Sequence, residues 1–339
     1  MGSPKPSRYA LDGAPPDIVC SDWPTMHLHV ERGLSIDKRE LKSFPRQSIF
    51  LDGVFTGPAF LNNESRQYSL DHHAGCVRAF TLATCEQACV MLMQRLPLWE
   101  GEWQVYVNEP DLDSLLGAWI LLNHYALSHD NYALLRKVMP LIRVEGVIDT
   151  FGLDKALLSG LPRRIYEAKY QRIMKLRQPE QQLREKGEWS TTDLVAFSKS
   201  QLERLDSNLF PHGSPRIGGI EKLKLDRPTR TLAFLVPTRR GIYEIEEELR
   251  AIHKDELAVI VLDSGHGRMT LRLVNPFMPK NLNAAYAALN ARDERVRDSD
   301  DSNVWGGSAE IGGAPRRTGT GLSGREVLET VIDALNSDD

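Results

Sequence analysis

The chain has 339 residues, 41% of them hydrophobic and 26% charged, with 25 Gly and 19 Pro. That length suits two domains of roughly 100–200 residues each, and the balance excludes disorder, collagen and coiled coil. A net charge of -4 leaves no global basic field for duplex DNA, although a local basic groove stays open. No apolar run reaches the roughly 18 residues of a membrane span, and the mean hydropathy is -0.35. The start of the chain lacks the apolar stretch of a secretory signal, and Pro6 stands where myristoylation needs Ser or Thr. Cys20, Cys76, Cys85 and Cys89 form no C-x-x-C pair, and Cys85 and Cys89 suit one helix face as small apolar side chains. Free thiols without a signal favour the cytoplasm.

In chain order, residues 1–25 are Pro-rich and read as a loosely held N-terminal arm. His27–Gly33 alternates and predicts an edge strand with His27 and His29 on one side. Ser48–Phe50 and Tyr68–Leu70 are short apolar runs, ending at Asp52-Gly53 and Asp71-His72-His73. Arg78–Leu96 has helical spacing, and Trp103–Val107 alternates into a third strand that ends at Glu109-Pro110-Asp111. Leu115–Leu127 and Tyr132–Ile142 read as helices, and Gly146–Ile148 as an apolar run ending at Asp149. The alternation predicts an α/β fold, with a mostly parallel sheet flanked by helices over residues 26–163. Ligands of such sheets bind beyond the carboxyl ends of the strands, where the four acidic clusters sit.

Residues 164–228 are charged and mixed and read as a helical connector. It holds a helix at Ile165–Lys186, a second at Thr191–Leu205 and a loop at Pro211–Pro215. A second, smaller α/β domain is predicted over residues 229–339. Its elements are a strand at Thr231–Val236, a helix at Tyr243–Ile252, a hairpin of Leu257–Leu262 with Met269–Val274, and a helix at Leu282–Leu289. A solvated charge run at Arg292–Asp301, a Gly-rich segment at Trp305–Gly324 and an amphipathic helix at Arg325–Leu335 complete it. Gly319–Gly324 matches G-x-G-x-x-G, but no strand precedes it, and Ser323 reads as a helix cap.

Carboxylates packed at one sheet edge repel, and a divalent metal removes that conflict. Asp111 and Asp113 stand two apart, which in extended chain turns both carboxylates one way. Mixed Asp and His donors suit Mn2+, with Mg2+ or Zn2+ as other choices. A pair of such ions about 3.5–4 Å apart would clamp a phosphoryl group.

Leu70-Asp71-His72-His73 resembles the signature of the DHH phosphoesterase superfamily. Pro110–Ser114 is similar to its D-x-D motif, Phe50–Gly53 to its second motif and Gly146–Thr150 to its fourth. Ala83–Gln87 resembles the helix that follows D-H-H. The order differs from the family's, because D-x-D follows D-H-H here. The resemblance implies metal ligands Asp52, His72, Asp111, Asp113 and Asp149, with Asp52 bridging. It implies that Asp71 orients the histidines or supports the metal shell, and that His73 contacts the scissile phosphate or donates a proton. Arg78 reads either as a phosphate clamp or as a solvated residue. Many members carry a His four residues before D-x-D, where this chain has Val107.

In the second domain, Thr270–Leu273 resembles the family's substrate-binding strand, which points to Arg272. Gly306, Gly307, Ser308, Gly312 and Gly313 resemble its Gly-rich loop, without the loop's His, and Arg316 adds charge. The resemblance implies metal-dependent hydrolysis of a phosphoester or phosphoanhydride in a cleft between the domains. The partner is a small phosphorylated substrate or a short single-stranded nucleic acid, with no membrane, and oligomerisation is left open. The displaced motif and missing histidines keep two alternatives: the same metal site acting on a non-phosphate substrate, and a nucleotide sensor that does not cleave.

Overall fold

Three of the four apolar runs that end at acidic residues, Ser48–Phe50, Tyr68–Leu70 and Trp103–Val107, lie side by side in one sheet. The computed structural model describes residues 7–128, 132–152, 156–210, 232–253, 256–297 and 303–336. The chain divides into two units, Met1–Ile220 and Glu221–Asp339. The loop Pro211–Pro215, Thr231 and residues 298–301 of the charge run lie outside the described residues.

The strands of the first unit are β1 (Tyr9–Asp12), β2 (Asp17–Cys20), β3 (Trp23–Val30), β4 (Ser48–Leu51), β5 (Phe60–Asn62), β6 (Gln67–Leu70) and β7 (Trp103–Val107). Its helices are α1 (Thr84–Met93), α2 (Leu112–Leu122), α3 (His124–Ser128), α4 (Tyr132–Phe151), α5 (Arg163–Glu185) and α6 (Leu194–Leu209). The strand order is β1-β2-β3-β7-β4-β6-β5. β3, β7, β4 and β6 run parallel, and Ile49 of β4 lies between Val105 and Tyr68. β1, β2 and β5 are antiparallel. The sheet is therefore mixed rather than mostly parallel: short connections permit only hairpins, whereas the crossover from β6 to β7 contains α1.

Three sequence expectations change here. The Pro-rich arm contributes β1 and β2, because Ile18, Val19 and Cys20 are buried through pairing with β3. That pairing makes β3 an interior strand, not an edge. The expected connector helices, α5 and α6, belong to the first unit, with α5 packed on α4 and α6 on α2 and β3. Leu176, Leu202 and Leu205 are buried there, giving those helices an apolar face that a free linker would leave in water.

Two helix boundaries also move. α1 starts at Thr84, leaving Arg78 in the preceding loop. Gly146–Ile148 lies inside α4 and is not a strand, since Val138, Leu141, Ile142, Val144, Val147 and Ile148 keep helical spacing through Pro140.

The second unit contains β8 (Leu232–Pro237), α7 (Ile242–His253), β9 (Leu257–Asp263), β10 (Met269–Leu273), α8 (Leu282–Arg292), α9 (Glu294–Arg297), β11 (Gly306–Gly307), β12 (Ile311–Gly313) and α10 (Gly324–Asn336). The order is β11-β12-β10-β9-β8, with β8 and β9 parallel. Val259, Leu271, Leu289, Trp305, Val327 and Val331 form its core. The protein is thus an α/β chain with two helix-flanked sheets. No helix of the described residues is long and apolar enough to cross a membrane.

Candidate metal centre

Parallel register brings two acidic residues together. Leu51 pairs with Leu70 at the ends of β4 and β6, so Asp52 and Asp71 follow side by side. Asp52 has φ +45° and Gly53 φ +77°, a left-handed turn that lifts the Asp52 carboxylate off the strand end. Asp71 is fully buried. Its Oδ1 accepts the N–H groups of His72 (2.8 Å), His73 (3.0 Å) and Gly53 (3.2 Å). Asp71 therefore holds the loop behind the two imidazoles.

His72 has no solvent exposure. Its Nε2 lies 3.0 Å from Asp149 Oδ2, 3.5 Å from Asp52 Oδ1 and 3.7 Å from Asp113 Oδ2. The His73 ring is more open, and its Nε2 lies 2.7 Å from Asp52 Oδ1. Arg78 reaches α4, where its Nη2 donates to the Asp149 carbonyl (2.8 Å) and to Asp149 Oδ2 (3.1 Å).

The D-x-D pair does not form the expected extended arrangement. Asp111 is the N-cap of α2, its side chain accepting Ser114 N–H at 2.9 Å, and Asp113 sits in the first helical turn. Asp113 in turn accepts the N–H groups of Thr84 (2.9 Å) and Cys85 (3.0 Å), the first residues of α1. Gly117 permits that close approach of the helices: a Cβ there would lie 3.3 Å from Thr84 Cγ2. Asp149 also departs from expectation, because it projects from α4 rather than from a strand end.

The site is electrostatically frustrated without a cation. Burial and the carboxylates of Asp52 and Asp149 push Asp113 up to about 7. Burial also raises Asp111 well above the usual carboxylate range, helped by Asp52 and Asp113. Burial opposes charge on His72, but the neighbouring Asp149, Asp52 and Asp113 outweigh it and lift the imidazole to about 10. Asp52 is also opposed by burial, yet His72 and His73 hold it below its ordinary value.

The donor set fits a divalent ion. Asp52, His72 and His73 place ligand atoms within 4.8 Å of one another, and so do His72, Asp113 and Asp149. Neither ring nitrogen of buried His72 has a hydrogen-bond partner, despite three carboxylates around Nε2. A nitrogen facing several carboxylate oxygens without in-line hydrogen bonds is what a shared cation would satisfy.

Sequence reasoning missed the supporting residues. Glu145, one turn before Asp149 on α4, is fully buried and ion-paired with Arg177 of α5. Arg177 also lies in the field of Asp111 and Asp149. The i, i+4 spacing of Glu145 and Asp149 was the available signal. Thr84 Oγ1 lies 3.4 Å from Asp52 Oδ1 and donates to Leu70 C=O at 2.8 Å.

In the second unit, the glycines have a local explanation. Gly306 pairs with Gly313 and Gly307 with Gly312 in the β11–β12 hairpin. A Cβ on Gly312 would clash with the Tyr286 hydroxyl and Gly306 C=O, and one on Gly313 with Met269 C=O. These glycines therefore allow tight strand packing instead of forming an open loop. Arg272 is engaged by Glu246 (2.8 Å) and Glu310 (3.5 Å), while Ser308 and Arg316 are exposed.

No protein-family model and no curated protein matches the chain. A crystal structure of an uncharacterized protein from Helicobacter pylori G27 aligns over 86% of this chain and 99% of that one, with 11% identity and a TM-score of 0.20. A likeness that low carries no functional argument.

Proposed function

We propose that the first unit is a metal-dependent hydrolase of a phosphoester or phosphoanhydride, resembling the DHH phosphoesterases, with Mn2+, Mg2+ or another divalent ion as its cation. Nucleotides and short oligonucleotides are the substrate class that this resemblance favours. The observation that carries the reading is the convergence of Asp52, His72, Asp113 and Asp149 from four chain segments upon one buried nitrogen.

Those four side chains would hold the metal, with Asp111 beside them. When bound, a divalent ion supplies Lewis acidity toward phosphoryl oxygens and lowers the pKa of water. Arg78 donates its remaining N–H groups to the phosphoryl oxygens while Asp149 anchors it. His73, partly open to solvent, gives a proton to the leaving oxygen. Asp71 keeps both histidines aimed through their backbone N–H groups. We assign the activity to the cytoplasm, where its four unpaired thiols persist.

The test is elemental analysis of the purified protein, followed by a panel of nucleotides, dinucleotides and inorganic pyrophosphate with Mn2+. Chelator-sensitive turnover is expected. Fully metal-loaded protein that cleaves none of them would overturn the hydrolase reading.

A further inference from the structure

Asp12, Asp17 and His27 form a second donor cluster at the other side of the first sheet. Asp12 and Asp17 stand directly opposite each other across the β1–β2 hairpin. His27 comes from β3, where it pairs with Val19, two residues beyond Asp17. One ligand atom from each of the three lies within 4.8 Å of the others. The donors of this cluster lie on β1, β2 and β3, whereas Asp52 follows β4, two strands beyond β3 in the sheet.

The Asp17 carboxylate is incompletely satisfied. Its Oδ2 lies 2.7 Å from His27 Nδ1. Its Oδ1 is buried without a hydrogen-bond partner, in a residue only 7% exposed. That oxygen points to the turn beside Asp12, since a Cβ on Gly13 would lie 3.8 Å from it. Asp12 faces the same turn, its Oδ1 accepting Gly13 N–H at 3.0 Å. Like charges directly opposite on paired strands repel, and a buried oxygen without a donor is unfavourable. One cation relieves both.

We propose that Asp12, Asp17 and His27 form a second divalent-cation site that takes a borderline transition metal such as Zn2+ or Mn2+. Two carboxylates and an imidazole suit such ions, and the remaining positions are filled by water. Donors about 2.1 Å from a tetrahedral ion stand about 3.4 Å apart, so small side-chain rotations suffice. On binding, His27 presents its Nδ1 lone pair to the metal as the neutral tautomer that carries its proton on Nε2. The bound ion fastens the hairpin to β3.

Chelator-treated full-length protein is titrated with Zn2+, and separately with Mn2+. Bound metal is counted by elemental analysis and Tm is followed. Wild type is expected to bind one more equivalent than His27→Gln and Asp12→Asn, and to gain more in Tm. Asp12 is exposed, so Asp12→Asn keeps the fold and tests the site even if His27→Gln misfolds. Asp113→Asn serves as the control and should keep this equivalent. Equal metal counts in wild type and Asp12→Asn with both ions would overturn the proposal. Because the readout is a difference of one equivalent, it holds whether or not the Asp52 cluster binds metal.

Discussion

The carboxylate of Asp113 receives the backbone N–H of Thr84 at 2.9 Å, so a residue in the first turn of α2 caps α1. It also lies 3.7 Å from His72 Nε2, so the same side chain caps a helix and, under the proposed function, holds the metal.

Substitution should separate those tasks. Asp113→Ala leaves two buried N–H groups without an acceptor and is expected to cost about 1–3 kcal/mol. Asp113→Asn keeps one capping oxygen and should recover about half of that. Both should lose metal-dependent turnover. Urea unfolding checks the order; a stability of Asp113→Ala equal to wild type would show that the cap contributes nothing.

Asp52 occupies a left-handed backbone conformation, which Asn tolerates and Ala resists by about 1 kcal/mol. Asp52→Asn is therefore expected to keep the fold of the metal-free protein while losing the part of the Tm gain on adding Mn2+ that the Asp52 cluster supplies. Thermal melts with and without Mn2+ test this. A full Mn2+ response in Asp52→Asn would remove Asp52 from the ligand set.

Arg78 is tied to Asp149 but half exposed, so its loss should spare the fold. Arg78→Ala is expected to lower kcat by about 10²-fold, the usual effect of deleting one donor to developing charge. Arg78→Lys should fall between, because an ammonium lacks the planar fork. Steady-state kinetics at a constant metal count decide the matter; unchanged kcat in Arg78→Ala would make it a surface residue.

The pH dependence follows from two raised groups. Asp113 rises from 3.8 to about 7, so its protonated form stabilises the metal-free protein at low pH, and that contribution is lost as pH climbs through 7. His72 rises from 6.5 to about 10, so its stabilising effect is complete below 6.5 and fades toward 10. The metal-free first unit should thus weaken from about pH 6 to about pH 9, and bound metal replaces both protons. The Tm gain on adding Mn2+ should be larger at about pH 9 than at about pH 6. Calorimetry showing the reverse order would contradict this electrostatic account.

Arg177 and Glu145 form a largely buried pair behind Asp149, with Glu145 fully enclosed and Arg177 23% exposed. Arg177→Met strands a buried carboxylate and should cost about 3 kcal/mol, whereas pairing it with Glu145→Leu should recover most of that loss. Denaturant midpoints of the single and double variants test the coupling.

Local patterning made several features legible before any coordinates. β4, β6 and β7 each follow from a short apolar run, and β8, α7, β9, β10, α8 and α10 of the second unit match its apolar periodicity. The stretch before Asp149 was misread because an apolar triplet fits strand and helix alike; the longer spacing from Leu135 to Ile148 favours the helix. The Gly-rich segment was misread because glycine suits an anion loop and a crowded strand pair equally, and only the Tyr286 hydroxyl and Met269 carbonyl distinguish them.

The amino-acid order by itself determined which residues are acidic, where each follows an apolar segment, and that His72 and His73 share a turn with Asp71. Such features depend on neighbours a few residues apart. Only the tertiary structure decided that Asp52, His72, Asp113 and Asp149 face one another, that Asp111 serves as a cap, and that His27 meets Asp12 and Asp17. Those meetings depend on strand register and helix packing, which are set by burial of distant apolar faces and not by local sequence.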